Sequence, residues 1–342
     1  MVEIPQVPLE QWKQLYDVAD RCRKSAPWDV LSSDDVFAVV NPEKPEAGYC
    51  SVLGQLGEMY GMGVHLGSDG LELLREILND DILEESPDDH FERNRSLLVE
   101  FCGRNEIEKE DRFIITELGL KFRGANAWPM FRSYRPGYDA WFLEADEVRF
   151  LTHVLEQSIV IADRLRKYAT ALESPRDGLF LTRISKKTDD ALVWNDSWIE
   201  PEPYVRPEPN PIVVDEIQVA RIVKQYPKRN TVWELDSDQL PSLITDQERP
   251  YYLYYLMAAD KESGLIVDFD ACSFFDKDER VFPYVLKAIE KAGLIPERIE
   301  VCNERIYKLL ADPLKKLNVK TVLTDMLPAV DEAIDAFLES MY

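Results

Sequence analysis

The sequence predicts two mixed-sheet α/β domains joined by a proline-rich linker, and three observations predict it. Tyr251–Ala259 is nine apolar or aromatic residues without a break; Asp260 ends it, a polar turn (Lys261-Glu262-Ser263-Gly264) follows, and a second β-rich run starts at Leu265. Such a run, bounded by turn residues, is a buried strand with a return strand behind it. Residues 196–211 hold five prolines alternating with polar residues, the composition of a stiff, extended connection. After it, strand-length runs alternate with helix-length ones, the pattern of a mostly parallel sheet with helices on its faces. The expected domains are 1–195 and 212–342, with 196–211 between them.

In chain order, residues 9–24 bring Trp12, Leu15, Tyr16 and Ala19 onto one helical face, and Pro27 ends that helix. Strands are expected at Val36–Val40, Tyr49–Leu53 and Met59–Leu66, with glycines where the chain bends. Ser68 and Asp69 are N-cap residues for a helix over Leu71–Leu78. An acidic loop, NDDILEESPDDHFERN, leads to a strand at Leu97–Cys102 and a short helix at Lys109–Leu118. From Ala145 to Leu172 apolar residues keep helical spacing for about seven turns. Residues 179–184 and 191–195 read as a β-like pair.

Beyond the linker, Val213–Gln225 reads as a helix and Thr231–Leu235 as a strand, followed by the hairpin. CSFFDKDE reads as a loop, and Val281–Ala292 as a helix closed by Gly293. Arg298–Cys302 is a strand, Glu304–Leu317 a helix interrupted at Pro313, Val319–Thr324 a strand, and Ala329–Met341 a final helix begun by Pro328.

A chain of 342 residues exceeds what one core takes, and 45% hydrophobic content supports real cores. The net charge of −24 repels nucleic acid and anionic membrane on average. Five scattered cysteines without a CxxC pair point to a reducing compartment, and the cytoplasm is the expected location. No apolar run approaches the ~18 residues of a membrane span, and MVEIPQVPLEQW has neither the basic start nor the apolar core of a secretory signal.

Candidate chemistry lies in two places. Residues 121–141 interleave bases with aromatics: Arg123, Trp128, Arg132, Tyr134, Arg135 and Tyr138 are the candidate binding residues, with Asp139 the one acid nearby. Basic plus aromatic suits phosphates, single strands or acidic peptides; the structural alternative is a long structured loop whose aromatics pack under the long helix while its arginines pair with the acidic surface. The second half carries acids at strand and helix ends: Asp260, Asp268, Asp270, Glu304 and Glu332. His65, His90 and His153 do not cluster as zinc ligands do, and no GxSxG elbow is present. The glycines of GQLGEMYGMGVHLGSDG lack the Lys-Ser/Thr of a phosphate loop, so bulges and tight turns explain them.

Two resemblances accompany these residues. The hairpin with its KESG turn and the run AIEKAGLIPERIEVCNE resemble, in element order, the ribonuclease H and retroviral-integrase fold over about 90 residues. That resemblance implies carboxylates at the strand ends holding Mg²⁺ for phosphodiester cleavage, which makes the five acids catalytic candidates and Mg²⁺ the cofactor under that reading alone. The family's second acid falls near Asn303 here, with Glu304 one residue off. The stretches APWDVL, VFAVVNPEKPEAGYCSVLG, GLKFRGANAWPMFRSYRPGY, WELD, PYYLYYLMAADKESG and AGLIPERIEV resemble bacterial two-domain proteins of unknown function. That resemblance implies an architecture and no activity. The leading expectation is a non-catalytic binding or scaffold protein with a protein or small-molecule partner and no cofactor; the alternative is the Mg²⁺-dependent nuclease.

Overall fold

The computed structural model describes residues 5–79, 92–189, 191–245 and 249–340. The chain is α/β and forms two compact units: Met1–Arg206 with Thr245–Pro250, and Pro207–Ile244 with Tyr251–Tyr342. Among the described residues no helix is long and apolar enough to cross a membrane.

The first unit is built on seven strands: β1 (Phe37–Val40), β2 (Ala47–Leu53), β3 (Tyr60–Leu66), β4 (Ser96–Cys102), β5 (Trp128–Tyr134), β6 (Phe180–Lys187) and β7 (Leu192–Ile199). Their order is β5-β4-β3-β2-β1-β6-β7. Every neighbouring pair is antiparallel except β1 with β6. Helices α1 (Leu9–Ser25) and α4 (Ala145–Lys167) share one core with one face of the sheet. There Leu15, Tyr16 and Ala19 of α1 and Leu151, Val154 and Leu155 of α4 meet Cys50, Val52, Met62, Val64, Leu97 and Val99. Helix α2 (Gly67–Leu78) packs on the other face, setting Leu71 and Leu74 against Ala38 and Tyr49. The short α3 (Lys109–Glu117) starts with a capping box in which Glu108 and Asp111 satisfy each other's backbone donors.

The structure revises several expected elements here. Residues 121–141 are not a continuous loop, because Trp128–Tyr134 is an edge strand paired along β4. Pro129 hides this strand in the sequence, yet an edge tolerates the missing N–H. The long helix ends at Lys167, not Leu172, with Tyr168 in an extended conformation. Leu172 still packs on the core from the turn that follows, so the apolar period outlasts the helix. Residues 196–199 belong to β7 and not to a linker: Asp196 is held by Arg183 of β6 and Arg164 of α4.

The second unit holds β8 (Val232–Asp236), β9 (Gln239–Ile244), β10 (Tyr251–Asp260), β11 (Ile266–Ser273), β12 (Arg298–Val301) and β13 (Lys320–Leu323). The order is β11-β10-β8-β12-β13, with β9 also on β10. Strands β8, β12 and β13 run parallel, whereas β10 is antiparallel to β8, β9 and β11. The sheet is therefore mixed and not mostly parallel. Helices α5 (Glu216–Gln225), α6 (Lys277–Ala292) and α7 (Glu304–Lys316) contribute to the larger core, and α8 (Pro328–Ser340) closes the smaller one.

Strand β10 is interior on both faces. Tyr254, Leu256 and Ala258 enter the larger core, while Tyr255, Met257 and Ala259 enter the smaller one. This two-sided burial is why the run is continuously apolar and not alternating. Helix α7 passes through Pro313 without a break; burial of Leu309, Leu310 and Leu314 offsets the lost backbone bond. The expected loop CSFFDKDE is instead the end of β11, a turn and the start of α6. Strand β9 is an element the sequence concealed, with Pro241 inside it.

One buried charge fastens α8 to the sheet. The Glu234 carboxylate of β8 is fully buried and accepts from the Ala329 and Val330 N–H groups at 2.7 and 3.3 Å. Lys261 approaches it at 3.3 Å. These are unpaired donors at a helix start, so a carboxylate there matches both hydrogen-bonding need and dipole. Glu234→Ala should cost ~3 kcal/mol in urea unfolding and speed amide exchange across 328–340; an unchanged midpoint would contradict this anchoring.

Candidate binding site

A concavity of the first unit follows from how its sheet alternates. Cys50, Val52, Met62, Val64, Leu97 and Val99 point to the α1/α4 core. Their neighbours Ser51, Leu53, Gly63, His65, Ser96 and Leu98 therefore fall on the α2 face. Three of those six are Gly or Ser, and with the wall of α2 they leave a cleft of about 450 Å³. Leu74, Ile77 and Leu78 of α2 supply that wall, Tyr134 of β5 lines it, and Ser33 and Asp34 join from the segment before β1.

Gly63 has no positive φ to explain it, unlike Gly54, Gly57 and Gly67 at the turns. A Cβ there would meet only the His65 imidazole, 3.2 Å from Nε2. Gly63 thus keeps space open. Gly61 answers a different need: a Cβ there would lie 2.3 Å from the Val99 carbonyl oxygen, so β3 and β4 could not approach as they do.

The polar groups of the cleft are partly committed. Ser51 Oγ donates to the Ser33 carbonyl at 2.9 Å, and Ser96 Oγ donates to Asn94 Oδ1 at 2.7 Å. Burial pushes the His65 imidazole down to about 4, so it is neutral at pH 7. Its Nδ1 is buried and has no hydrogen-bond partner among the described residues.

A second cleft, about 420 Å³, is lined by Lys44, Arg95 and Arg135 together with Glu46, Glu144, Asp146 and Glu147. Its charges are spent on one another: Lys44 on Asp146, Arg95 on Glu46 at 2.5 Å, Arg135 on Glu144 and Glu147 at 2.8 Å each. It offers a ligand no free cation among the described residues.

The residues expected to form a basic, aromatic surface are dispersed. Arg132 is buried, not displayed; its guanidinium holds Asp111 at 3.0 and 2.8 Å and Glu108 at 3.0 Å, above the Phe142 ring. Burial alone would lower its pKa, but Asp111 and Glu108 outweigh that and raise it. Arg135 is likewise paired. Trp128 packs against Phe122 under the Arg104 guanidinium. Tyr138 lies beneath the guanidinium of Arg249, which also bonds Ser133. Arg123 is exposed, and Tyr134 alone of the six lines the first cleft. The aromatics and arginines of this segment build structure because β5 is packed into the sheet.

The five acids of the second unit do not converge. Asp268 and Asp270 share a face of β11 as expected, but α6 neutralises them: Lys291 meets Asp268 at 2.6 Å, and Lys287 and Arg280 meet Asp270 at 3.2 and 3.4 Å. Asp260 closes its turn, accepting from the Ser263 N–H and hydroxyl and from Thr231. Asp260 is level with Trp233, and Trp233 with Ile299. Glu304 starts α7 beyond the C-terminal end of β12, so it lies toward the other end of the strands from Asp260. Glu332 is exposed on α8. Among the described residues, no group of three or more His, Cys, Asp or Glu side chains is placed to hold a metal ion. His90 lies outside the described residues.

A different acid set is buried. Glu300 sits beside Glu234 across β8 and β12 and binds Lys261 at 2.6 Å and Arg298 at 2.8 Å. Burial works to raise the Glu300 carboxyl, but those two cations outweigh it and hold it below its ordinary value. These are internal counter-ions. Sequence reading missed Glu234 because a buried and an exposed glutamate look alike without a partner list.

The comparisons with known proteins agree with two units. Residues 12–183 match the domain of unknown function DUF7309. The chain belongs to that family. The cleft's residues on β2, β3, β4 and β5 all lie inside the DUF7309 region. Residues 218–338 match a second domain of unknown function, DUF6930, within the other unit. No curated protein matches the chain.

The Arg132–Asp111 pair gives a direct check on the reassignment of residues 121–141. Asp111→Ala leaves a buried guanidinium with only half-exposed Glu108, and should cost ~3–5 kcal/mol in chemical unfolding. The double variant Asp111→Ala/Arg132→Met should recover part of that loss, because it removes the stranded charge. Additive losses would mean the pair does not act as a buried unit.

Proposed function

We propose that this DUF7309 chain is a non-catalytic binding protein whose first unit holds a small organic ligand in the cleft between α2 and strands β2–β5. The supporting observation is the floor of that cleft. Interiors are close-packed and leave few voids larger than a water molecule. Here Ser51, Gly63 and Ser96 open about 450 Å³ where larger side chains would close it, a volume in the range of small-molecule sites, ~300–1,000 Å³. Apolar walls with a few polar groups complete the usual composition of such a site.

The nuclease reading finds no comparable support, since its acids lie toward opposite ends of the strands or are held by lysines. A reducing location such as the cytoplasm accords with all five cysteines being free.

Gly63 supplies the test. Gly63→Ala and Gly63→Val add side chains on extended backbone, so they reduce the cleft stepwise. Thermal unfolding of the whole chain is measured against a library of small amphiphiles. A ligand at about 100 times its Kd adds ~2.7 kcal/mol of stability. The expected result is a rise in Tm for the native chain, less for Gly63→Ala and none for Gly63→Val. Equal shifts in all three, or no shift with any compound, would remove the proposal.

A further inference from the structure

The chemistry of the cleft also selects its ligand, an inference that rests on the binding reading above. We propose that it takes an organic amine: a protonated ammonium group carried on a small apolar body.

The argument starts with charge. Asp34 is the one ionised side chain lining the cleft among the described residues; no lysine or arginine lines it. Asp34 is exposed and has no ion pair among the described residues. A carboxylate at the mouth of a low-dielectric cleft favours a cation and opposes an anion. The overall charge of −24 acts in the same direction.

Hydrogen bonding points the same way. Ser51 and Ser96 have already given their hydroxyl hydrogens to Ser33 and Asn94, so only their lone pairs remain for a ligand. The neutral His65 imidazole carries one N–H and one acceptor nitrogen; its buried Nδ1 has no partner among the described residues, and its Nε2 is the nitrogen beside the Gly63 space. The Ser33 and Tyr134 hydroxyls rotate to suit either kind of partner. The cleft is therefore rich in acceptors. A ligand carboxylate would face Asp34 and find few donors. An alcohol supplies one donor and leaves Asp34 without a counter-charge. An alkylammonium supplies three N–H donors and the positive charge, while Leu53, Leu74 and Leu98 cover its hydrocarbon part.

Three probes of nearly equal shape separate these cases: 2-phenylethylamine, 2-phenylethanol and 3-phenylpropanoate. Each is titrated calorimetrically into the whole native chain, Asp34→Asn and Gly63→Val at constant ionic strength. The amine should bind the native chain at least tenfold more tightly than the alcohol, and the propanoate should not bind measurably. In Asp34→Asn the amine should fall to the affinity of the alcohol, although that change removes only one charge from a surplus of 24. That drop separates the cleft from diffuse attraction of a cation to an acidic surface. Gly63→Val should lose both ligands. Alcohol or propanoate binding as tightly as the amine, or an amine affinity unaltered by Asp34→Asn, overturns the amine assignment and leaves the cleft as a binding site for other chemistry. Failure of all three probes overturns the amine assignment as well, while the library screen still decides the cleft itself.

Discussion

A β-strand cannot send neighbouring residues to the same side, and the first unit is arranged around that constraint. To seal the α1/α4 core, β2, β3 and β4 commit Cys50, Val52, Met62, Val64, Leu97 and Val99 to one face. The residues between them are then obliged to face α2. Had those been large and apolar, a second dry core would extend across the sheet. They are instead largely small or polar, and α2 forms a small buried cluster with Ala38 and Tyr49, flanked by Val36, Ala47 and Phe180. One face of the sheet is therefore filled and the other is left partly concave.

The second unit resolves the same constraint differently. Its central strand, β10, is covered on both sides, so every side chain from Tyr254 to Ala259 is buried. Its carboxylates hold the fold together: Glu234 caps α8, Glu300 shares Lys261 with it, and Asp268 and Asp270 bind α6. Removing a charged group from water is costly unless it is paired and hydrogen-bonded, and these groups are both.

Much of the architecture was legible in the residues, and little of the site was. The run Tyr251–Ala259 announced a buried strand because two-sided burial demands an unbroken apolar stretch. Proline misled in three places: Pro129 and Pro241 concealed edge strands, and Pro313 suggested a break in a helix that packing holds together. Arg132 looked like a displayed base because its partner, Asp111, is 21 residues away in sequence and becomes adjacent only when α3 meets β5. The cleft was harder still. Gly63 and His65 were visible two residues apart in an expected strand, yet what they share is empty space, and a sequence does not record volume. The alternation of Gly61, Gly63 and His65 against Met62 and Val64 was the available signal.

The claim that most needs a direct reading is that ligand enters the α2 face of the first sheet. Chemical-shift mapping of backbone amides during titration with 2-phenylethylamine reads it residue by residue. The account predicts the largest shifts at Ser51, Gly63, His65, Ser96 and Tyr134, with the strands of the second unit unmoved. Shifts confined to the second unit, or scattered evenly over acidic surface residues, would contradict it.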